Sequence, residues 1–365
     1  MKVLILGNGQ LGQMLGQASI QLGDECLLIN TRTNEVMPVG SHQALSWSVT
    51  DAMAWADVVS WEHEQISDQH VALAKAKLLT NPEQIKPLTH RQLEKAMFDR
   101  LNLGTAPWQA FNNAAELADI LAAWQGRAVI KAAEGGYDGK GQWRWQPGDD
   151  VQPLLDTAGQ QPGIVEAMIP FHCEVSIVGA RTKTGDTHCY PLVENIHRDG
   201  ILSHTLAGIS ALPSHLQAVA EQWFATLTTD LGYVGTLAIE FFVVGEGQAA
   251  TLLINEVAPR VHNSGHWSLT GSNCSQFSLH MRAITGAPIP PLSIQPTLML
   301  NVIGVDSIPA FFWQHAQAAP FWYGKEARPG RKVGHINIAL AEQEPAQAWV
   351  DQYATSLQLL SNEAS

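Results

Sequence analysis

Four apolar residues in succession, Val3 to Leu6, run directly into glycines, and so short a continuous run bounded by a turn reads as a strand buried on both faces. The turn Gly7-Asn8-Gly9-Gln10-Leu11-Gly12 leads into a helix predicted through about Gln21, and a second apolar run from Cys26 to Ile29 repeats the strand pattern. Strands alternating with helices imply a parallel sheet. Asp57 to Glu62 reads as a further strand ending on a carboxylate and Val71 to Ala76 as helix. The Asn81-Pro82 break then precedes a boundary placed near residue 90.

Apolar residues at helical spacing predict a helix over Gln92 to Leu101 and another over Ala114 to Trp124. The period then changes. Ala128 to Lys131, Gly141 to Trp145, Gly163 to Glu166, Glu174 to Val178, Gly235 to Val244 and Leu252 to Glu256 are short strand-like runs separated by glycine-rich loops, the mixture of an α+β domain. Pro288, Pro290 and Pro291 mark a linker, after which a small strand-rich C-terminal unit is expected.

Composition narrows the function classes. A chain of 365 residues has room for two or three packed units. Its 21 basic residues against 34 acidic ones oppose a polyanion surface, so nucleic acid is not an expected partner. Cys26, Cys173, Cys189 and Cys274 are widely spaced and fit neither a disulfide framework nor a thiolate metal site. No apolar run reaches membrane-spanning length and the first one is too short for a signal peptide, so a cytoplasmic location is expected.

Five places carry candidate chemistry. Gly7-x-Gly9-x-x-Gly12 between strand and helix can bind an anion at the helix N-terminus, or can serve packing alone; Asn30 stands where a dinucleotide site wants a ribose-binding acid. Lys131 ends a strand and precedes Glu134-Gly135-Gly136-Tyr137-Asp138-Gly139-Lys140-Gly141, a loop able to cover a nucleoside triphosphate or to act as a plain glycine turn. Glu240 and Glu256 lie equally far from Gln248, so a hairpin centred there sets them opposite one another with Cβ atoms about 4.5–5.5 Å apart. Two such carboxylates amid Leu, Ile and Phe repel unless a proton or a divalent cation such as magnesium neutralises them, whereas a shifted register would separate them. Ala258 to Trp267, with Arg260, His262 and Ser264, is either a substrate loop or a loop satisfied by its own hydrogen bonds; its His262/His266 spacing lacks the glutamate of a zinc helix. Last, Lys325, Arg328, Arg331 and Lys332 gather four of the 21 cations, as a phosphate site or a solvated basic turn.

In this order the pieces resemble the ATP-grasp superfamily. The strings Gly7 to Gly12, Gly135 to Gly141, Asn255 to His266 and Arg328 to His335 resemble the 5-(carboxyamino)imidazole ribonucleotide synthase family, with the match running from Met1 to about Asn337. That resemblance implies a Rossmann-like (pre-ATP-grasp) parallel sheet over residues 1–90, an ATP-grasp domain over 91–290 with a lid subdomain over about 105–167, and a β-rich C-terminal domain over 291–365. It implies conversion of ATP, bicarbonate and 5-aminoimidazole ribonucleotide into the carbamate, ADP and phosphate, commonly by a homodimer. A sister ligase such as a formate-dependent glycinamide ribonucleotide transformylase, and more remotely a dinucleotide-dependent oxidoreductase, are the alternatives.

Residue by residue, the resemblance assigns nucleotide contacts to Arg91, Lys131, the loop Gly135 to Gly141, the hinge Glu166-Ala167-Met168-Ile169, Glu174, His197, Asn255 and Glu256. It assigns magnesium to Glu240 and Glu256. Gly9, Gln10, Leu11, Glu62, Tyr137, Arg260, His262, Ser264, Lys325, Arg331 and Lys332 fall around the ribonucleotide and bicarbonate, with Asp138, Lys325, Arg260 and His262 expected to act in catalysis. The family usually carries arginine where Lys140 stands, and lysine lacks the bidentate fork.

Overall fold

The structure is a computed structural model and describes residues 1–74, 76–135, 141–209, 212–341 and 345–363. Three sheets organise it. The first contains β1 (Lys2–Leu6), β2 (Glu25–Asn30), β3 (Glu35–Pro38) and β4 (Val58–Trp61) in the order β3-β2-β1-β4. β1 runs parallel to β2 and β4, as alternation of strand and helix predicts, while β3 adds an antiparallel edge that the sequence reading did not assign. Helices α1 (Gln10–Gln21), α2 (Val49–Trp55) and α3 (Asp68–Ala74) accompany it, and the predicted last helical residue Ala76 is instead in a turn.

Two helices, α4 (Pro82–Ile85) and α5 (Arg91–Arg100), lead into the second sheet. Its strands β5 (Trp108–Phe111), β6 (Ala128–Ala132), β7 (Gln142–Trp145) and β8 (Gly163–Ala167) pair antiparallel in the order β5-β8-β6-β7. With α6 (Ala114–Ala123) and α7 (Gln152–Thr157) this sheet encloses its own small core of Phe111, Leu117, Leu121, Ile130 and Val165.

The third sheet has nine strands: β9 (Cys173–Arg181), β10 (Thr187–Cys189), β11 (Val193–Arg198), β12 (Ile201–Ala207), β13 (Gly235–Val244), β14 (Thr251–Ala258), β15 (Thr297–Ile303), β16 (Ala318–Trp322) and β17 (Lys332–Ala339). The order is β14-β13-β9-β11-β12-β15-β17-β16, with β10 on β9. β15 pairs with β12, so the strands beyond residue 291 continue the central sheet while packing a core of their own around Leu300, Phe312, Ile336 and Trp349. Helices α8 (Ser214–Asp230), α9 (Ser268–Gly271), α10 (Gln276–Thr285), α11 (Ala310–Gln314) and α12 (Ala346–Glu363) complete the chain.

Among the polar contacts that join the first and third sheets is a buried histidine. His280 of α10 accepts a hydrogen bond at Nδ1 from the Thr236 amide at 3.0 Å, which leaves its proton on Nε2 to donate to Ser60 Oγ at 2.8 Å. The packing is tight: a Cβ on Gly235, at φ +124°, would stand 2.8 Å from the imidazole. Burial lowers the His280 pKa to about 4. The unfolded chain takes up this proton near the ordinary histidine value and the folded chain does not, so the stabilisation is complete above that value and is lost as pH falls toward 4. We expect acidification from pH 7 to 4.5 to remove about 2–3 kcal/mol through this residue. Urea unfolding of the native protein and His280→Gln at both pH values checks it, with a shallower pH dependence expected in the variant.

Candidate functional site

Adjacent strand residues normally face opposite sides of a sheet. In the β13/β14 hairpin Val244 pairs with Thr251 and Phe241 with Ile254, so an unbroken register would set Glu240 against Asn255. Instead the register shifts after Glu240, which pairs with Glu256 and leaves Asn255 as the extra residue of a bulge. The hairpin is thus centred just short of Gln248, and the bulge restores the opposition of the two carboxylates. Asn255 and Glu256 both line the same cavity as Glu240. Burial and the charge of Glu256 push the Glu240 pKa up to about 8.

His262 joins the pair, since one ligand atom from each of Glu240, Glu256 and His262 lies within 4.8 Å of the others. Its proton position follows from a buried polar chain. Thr205 Oγ1 donates to Asn195 Oδ1 at 2.9 Å, Asn195 Nδ2 to Ser176 Oγ at 2.8 Å, and Ser176 Oγ to Ser264 Oγ at 2.8 Å. Ser264 Oγ stands 2.9 Å from His262 Nδ1, which also accepts from the Ser264 amide at 3.3 Å. Nδ1 is therefore an acceptor, and the proton of this neutral ring sits on Nε2, 3.5 Å from Glu240 Oε1. The N–H side of His262 therefore faces the carboxylate, and the donor set offered to a cation is two glutamate oxygens. Such a set fits a hard divalent ion that keeps other oxygen ligands.

Helix α5 connects this hairpin with the small sheet. Arg91, Glu94 and Lys95 fall on one helical face by their spacing of three and four. Arg91 Nη1 donates to the Ala132 carbonyl at 2.6 Å, and Glu94 Oε1 accepts from the Val257 amide at 3.0 Å. Lys95 reaches Thr105 and the Glu166 carboxylate, while Lys131 Nζ stands 2.6 Å from the other Glu166 oxygen and 3.3 Å from Asn255 Oδ1. Burial alone would raise the Glu166 pKa, but Lys131 and Lys95 outweigh it and hold the carboxylate ionised below its ordinary range. Likewise burial opposes charge on His197, yet the Glu174 carboxylate 3.2 Å away more than offsets it and lifts the His197 pKa.

Two cavities of about 610 and 620 Å³ meet here, with Arg91, Glu94, Glu256, His262, Asn263 and Lys332 lining both. Of the residues expected to hold nucleotide, Arg91, Lys131, Glu166, Ala167, Met168, Ile169, Glu174, His197, Asn255 and Glu256 line the first, together with Glu240. Gly9, Gln10, Leu11, Glu62, Gly135, Arg260, His262, Lys325 and Lys332 line the second. Arg260 is held there by Glu64 at 2.8 Å. Ser264 and Arg331 line neither cavity. Ser264 lies wholly buried beneath His262, and Arg331 is exposed with Nη1 on the Glu326 carbonyl at 3.1 Å. Gly136, Tyr137, Asp138, Gly139 and Lys140 lie outside the described residues, and Gly141 follows them in the turn just before β7.

The glycine turn has an occupant. Glu62 Oε1 accepts from the Gly9 amide at 2.9 Å and Oε2 from the Gly12 amide at 2.6 Å, so a side-chain carboxylate sits where the α1 N-terminus would take an external anion. A Cβ on Gly7 would lie 2.2 Å from Glu62 Cγ, and one on Gly12 2.4 Å from the Gly7 carbonyl. The glycines admit Glu62, and no space for a dinucleotide pyrophosphate remains at this turn.

Comparison with known proteins agrees with this geometry. Residues 96–277 match the ATP-grasp domain family, and residues 297–348 match the phosphoribosylaminoimidazole carboxylase C-terminal domain family. The N5-carboxyaminoimidazole ribonucleotide synthase of Escherichia coli is 40% identical over 340 residues, 92% of this chain and 90% of that protein. The chain belongs to the N5-carboxyaminoimidazole ribonucleotide synthase family. The family member from Vibrio cholerae is 37% identical over 98% of this chain and 96% of its own. A crystal structure of the Staphylococcus aureus N5-carboxyaminoimidazole synthetase complexed with ADP superposes with a TM-score of 0.85 at 27% identity, covering 97% of this chain and 96% of that one. Within this family frame the chain is an ATP-dependent ligase.

Sequence reasoning missed Glu94, Lys95, Ser176, Asn195 and Gln276, all buried polar residues around the site. For Glu94 and Lys95 a signal existed, two adjacent charges on the buried face of α5 beside Met97 and Phe98. Glu62→Gln removes the charge that caps α1 and is expected to lower stability by about 1–2 kcal/mol. Urea unfolding measures this.

Proposed function

We propose that this protein carboxylates 5-aminoimidazole ribonucleotide with bicarbonate at the expense of ATP, giving N5-carboxyaminoimidazole ribonucleotide, ADP and phosphate. The observation that carries the reading is the meeting of the two cavities at Glu256, His262 and Lys332. A phosphoryl group presented from the nucleotide side can reach an acceptor on the other without leaving the protein. Bicarbonate is a poor electrophile. Transfer of the γ-phosphoryl group to one of its oxygens, with ADP as leaving group, makes carboxyphosphate. The exocyclic amine then attacks its carbon, phosphate leaves and the amine proton is lost.

The chain's own residues supply positioning and charge. Lys131 lines the nucleotide cavity with its ammonium fixed by Glu166 and Asn255. Arg91 and Lys332 face both cavities, while Lys325 and Arg260 line the acceptor cavity and are assigned there to the carboxyphosphate and the ribonucleotide phosphate. His262 turns its Nε2–H side to Glu240 at 3.5 Å, which puts a positive dipole beside that carboxylate. Glu240 and Glu256 would hold magnesium, which supplies charge neutralisation to the nucleotide phosphates. From the family resemblance, Asp138 is assigned to orient or deprotonate the amine.

The reading extends to a homodimeric assembly and to a division near residues 90 and 290, both on the family resemblance. It also places the protein in the cytoplasm, supported by the four free thiols and by the lack, among the described residues, of any helix long and apolar enough to cross a membrane.

Phosphate release is expected to require ATP, bicarbonate and 5-aminoimidazole ribonucleotide together, and to stop when any one is omitted. Continued release without bicarbonate contradicts the assignment. Lys325→Met is expected to lower kcat by about 100-fold or more while ADP affinity stays within about threefold, measured by coupled turnover and calorimetry.

A further inference from the structure

Gln276 is fixed in orientation by the backbone of the residue it supports. Its Oε1 accepts from the His262 amide at 2.8 Å and its Nε2 donates to the His262 carbonyl at 2.7 Å, so its oxygen and nitrogen cannot be exchanged without losing both bonds. The same Nε2 stands 2.8 Å from His266 Nδ1. Nδ1 must therefore accept, and the proton of the buried His266 ring lies on Nε2. That proton points at Gln10, whose Nε2 is 3.2 Å away while its Oε1 accepts from Lys325 Nζ at 2.7 Å.

Here the donors and acceptors conflict. As long as Lys325 occupies the only oxygen of the Gln10 amide, His266 Nε2–H faces an NH₂ group, donor against donor. Turning the amide over satisfies His266 and sets the NH₂ against the ammonium. Neither position serves both neighbours, and among the described residues no other acceptor bonds His266 Nε2. The conflict ends only when Lys325 moves to a different partner. Gln10, His266, Tyr323 and Lys325 all line the acceptor cavity, so an anion arriving there can be that partner.

We propose that Gln10 is a two-position latch on Lys325: it holds the ammonium in the free protein, and when the acceptor's anionic group takes Lys325, Gln10 turns its oxygen to His266 Nε2. The His266 donor thus offsets part of the interaction that Lys325 loses on release. This rests on the placement of Lys325 in the acceptor site proposed above, and it makes Gln10 and His266 positioning residues acting through Lys325.

A carboxylate at position 10 would accept from both neighbours at once and close the latch. Gln10→Glu is therefore expected to raise the thermal midpoint by at least ~2 °C and to raise KM for 5-aminoimidazole ribonucleotide about tenfold or more, with ADP affinity within about twofold of native. His266→Phe adds no charge and removes the donor that draws Gln10 away, so it is expected to raise the same KM about threefold or more while leaving ADP affinity unchanged. Native acceptor KM in both variants, or a fall in ADP affinity that parallels the KM change, overturns the latch. A lower midpoint in Gln10→Glu also overturns it, because a closed salt bridge would not form. Full turnover in Lys325→Met would remove the assignment of Lys325 and the latch with it. Loss of turnover there, together with native kinetics in Gln10→Glu, removes the latch alone.

Discussion

The mutual repulsion of Glu240 and Glu256 is the constraint around which the site is built. A one-residue bulge at Asn255 brings them face to face within the central sheet, where burial makes the Glu240 charge expensive and the more exposed Glu256 carboxylate opposite adds to that cost. Neutrality then comes from a proton held at elevated pH or from a cation. In the function proposed above a cation takes that role, and a chain of hydroxyls and amides that starts at Thr205 turns the N–H side of His262 toward Glu240. Lys131 contacts the bulge residue Asn255 directly.

The same economy of charge extends along α5. Lys95 and Lys131 share the single buried carboxylate of Glu166, leaving net positive charge on the wall of the nucleotide cavity. Arg91 ties the helix to the end of β6, and Glu94 ties it to the backbone next to Glu256. One helical face thus holds the small sheet and the carboxylate hairpin in fixed relation. Displacement of the small sheet relative to the hairpin would have to break these contacts together.

Much of the architecture was legible in the sequence because each signal was local. β1, α1, β2 and β13 follow from apolar runs and turn residues, and the glycine turn, the paired glutamates and the basic cluster were visible as residues out of proportion to their surroundings. What was hidden depended on distant partners. Glu62 could not be recognised as the anion at its own glycine turn until β1 and β4 were set side by side. The bulge that aligns the glutamates has no composition signal, since Asn255 is an ordinary strand residue until its pairing is known. The β11/β12 hairpin did carry a signal, because Asp199 and Gly200 both adopt positive φ in the turn that such a dipeptide favours, but the polar content of β11 masked the strand. Ser264 and Arg331 belong to motifs of the family, yet one supports His262 from beneath and the other points to solvent.

The cation-binding role of the opposed glutamates is tested most directly by calorimetric titration of ADP with and without magnesium, in the native protein and in Glu240→Gln combined with Glu256→Gln. Native protein is expected to bind ADP at least about tenfold more tightly when magnesium is present, and the double variant to show no such difference. An undiminished magnesium dependence in the double variant would contradict the account.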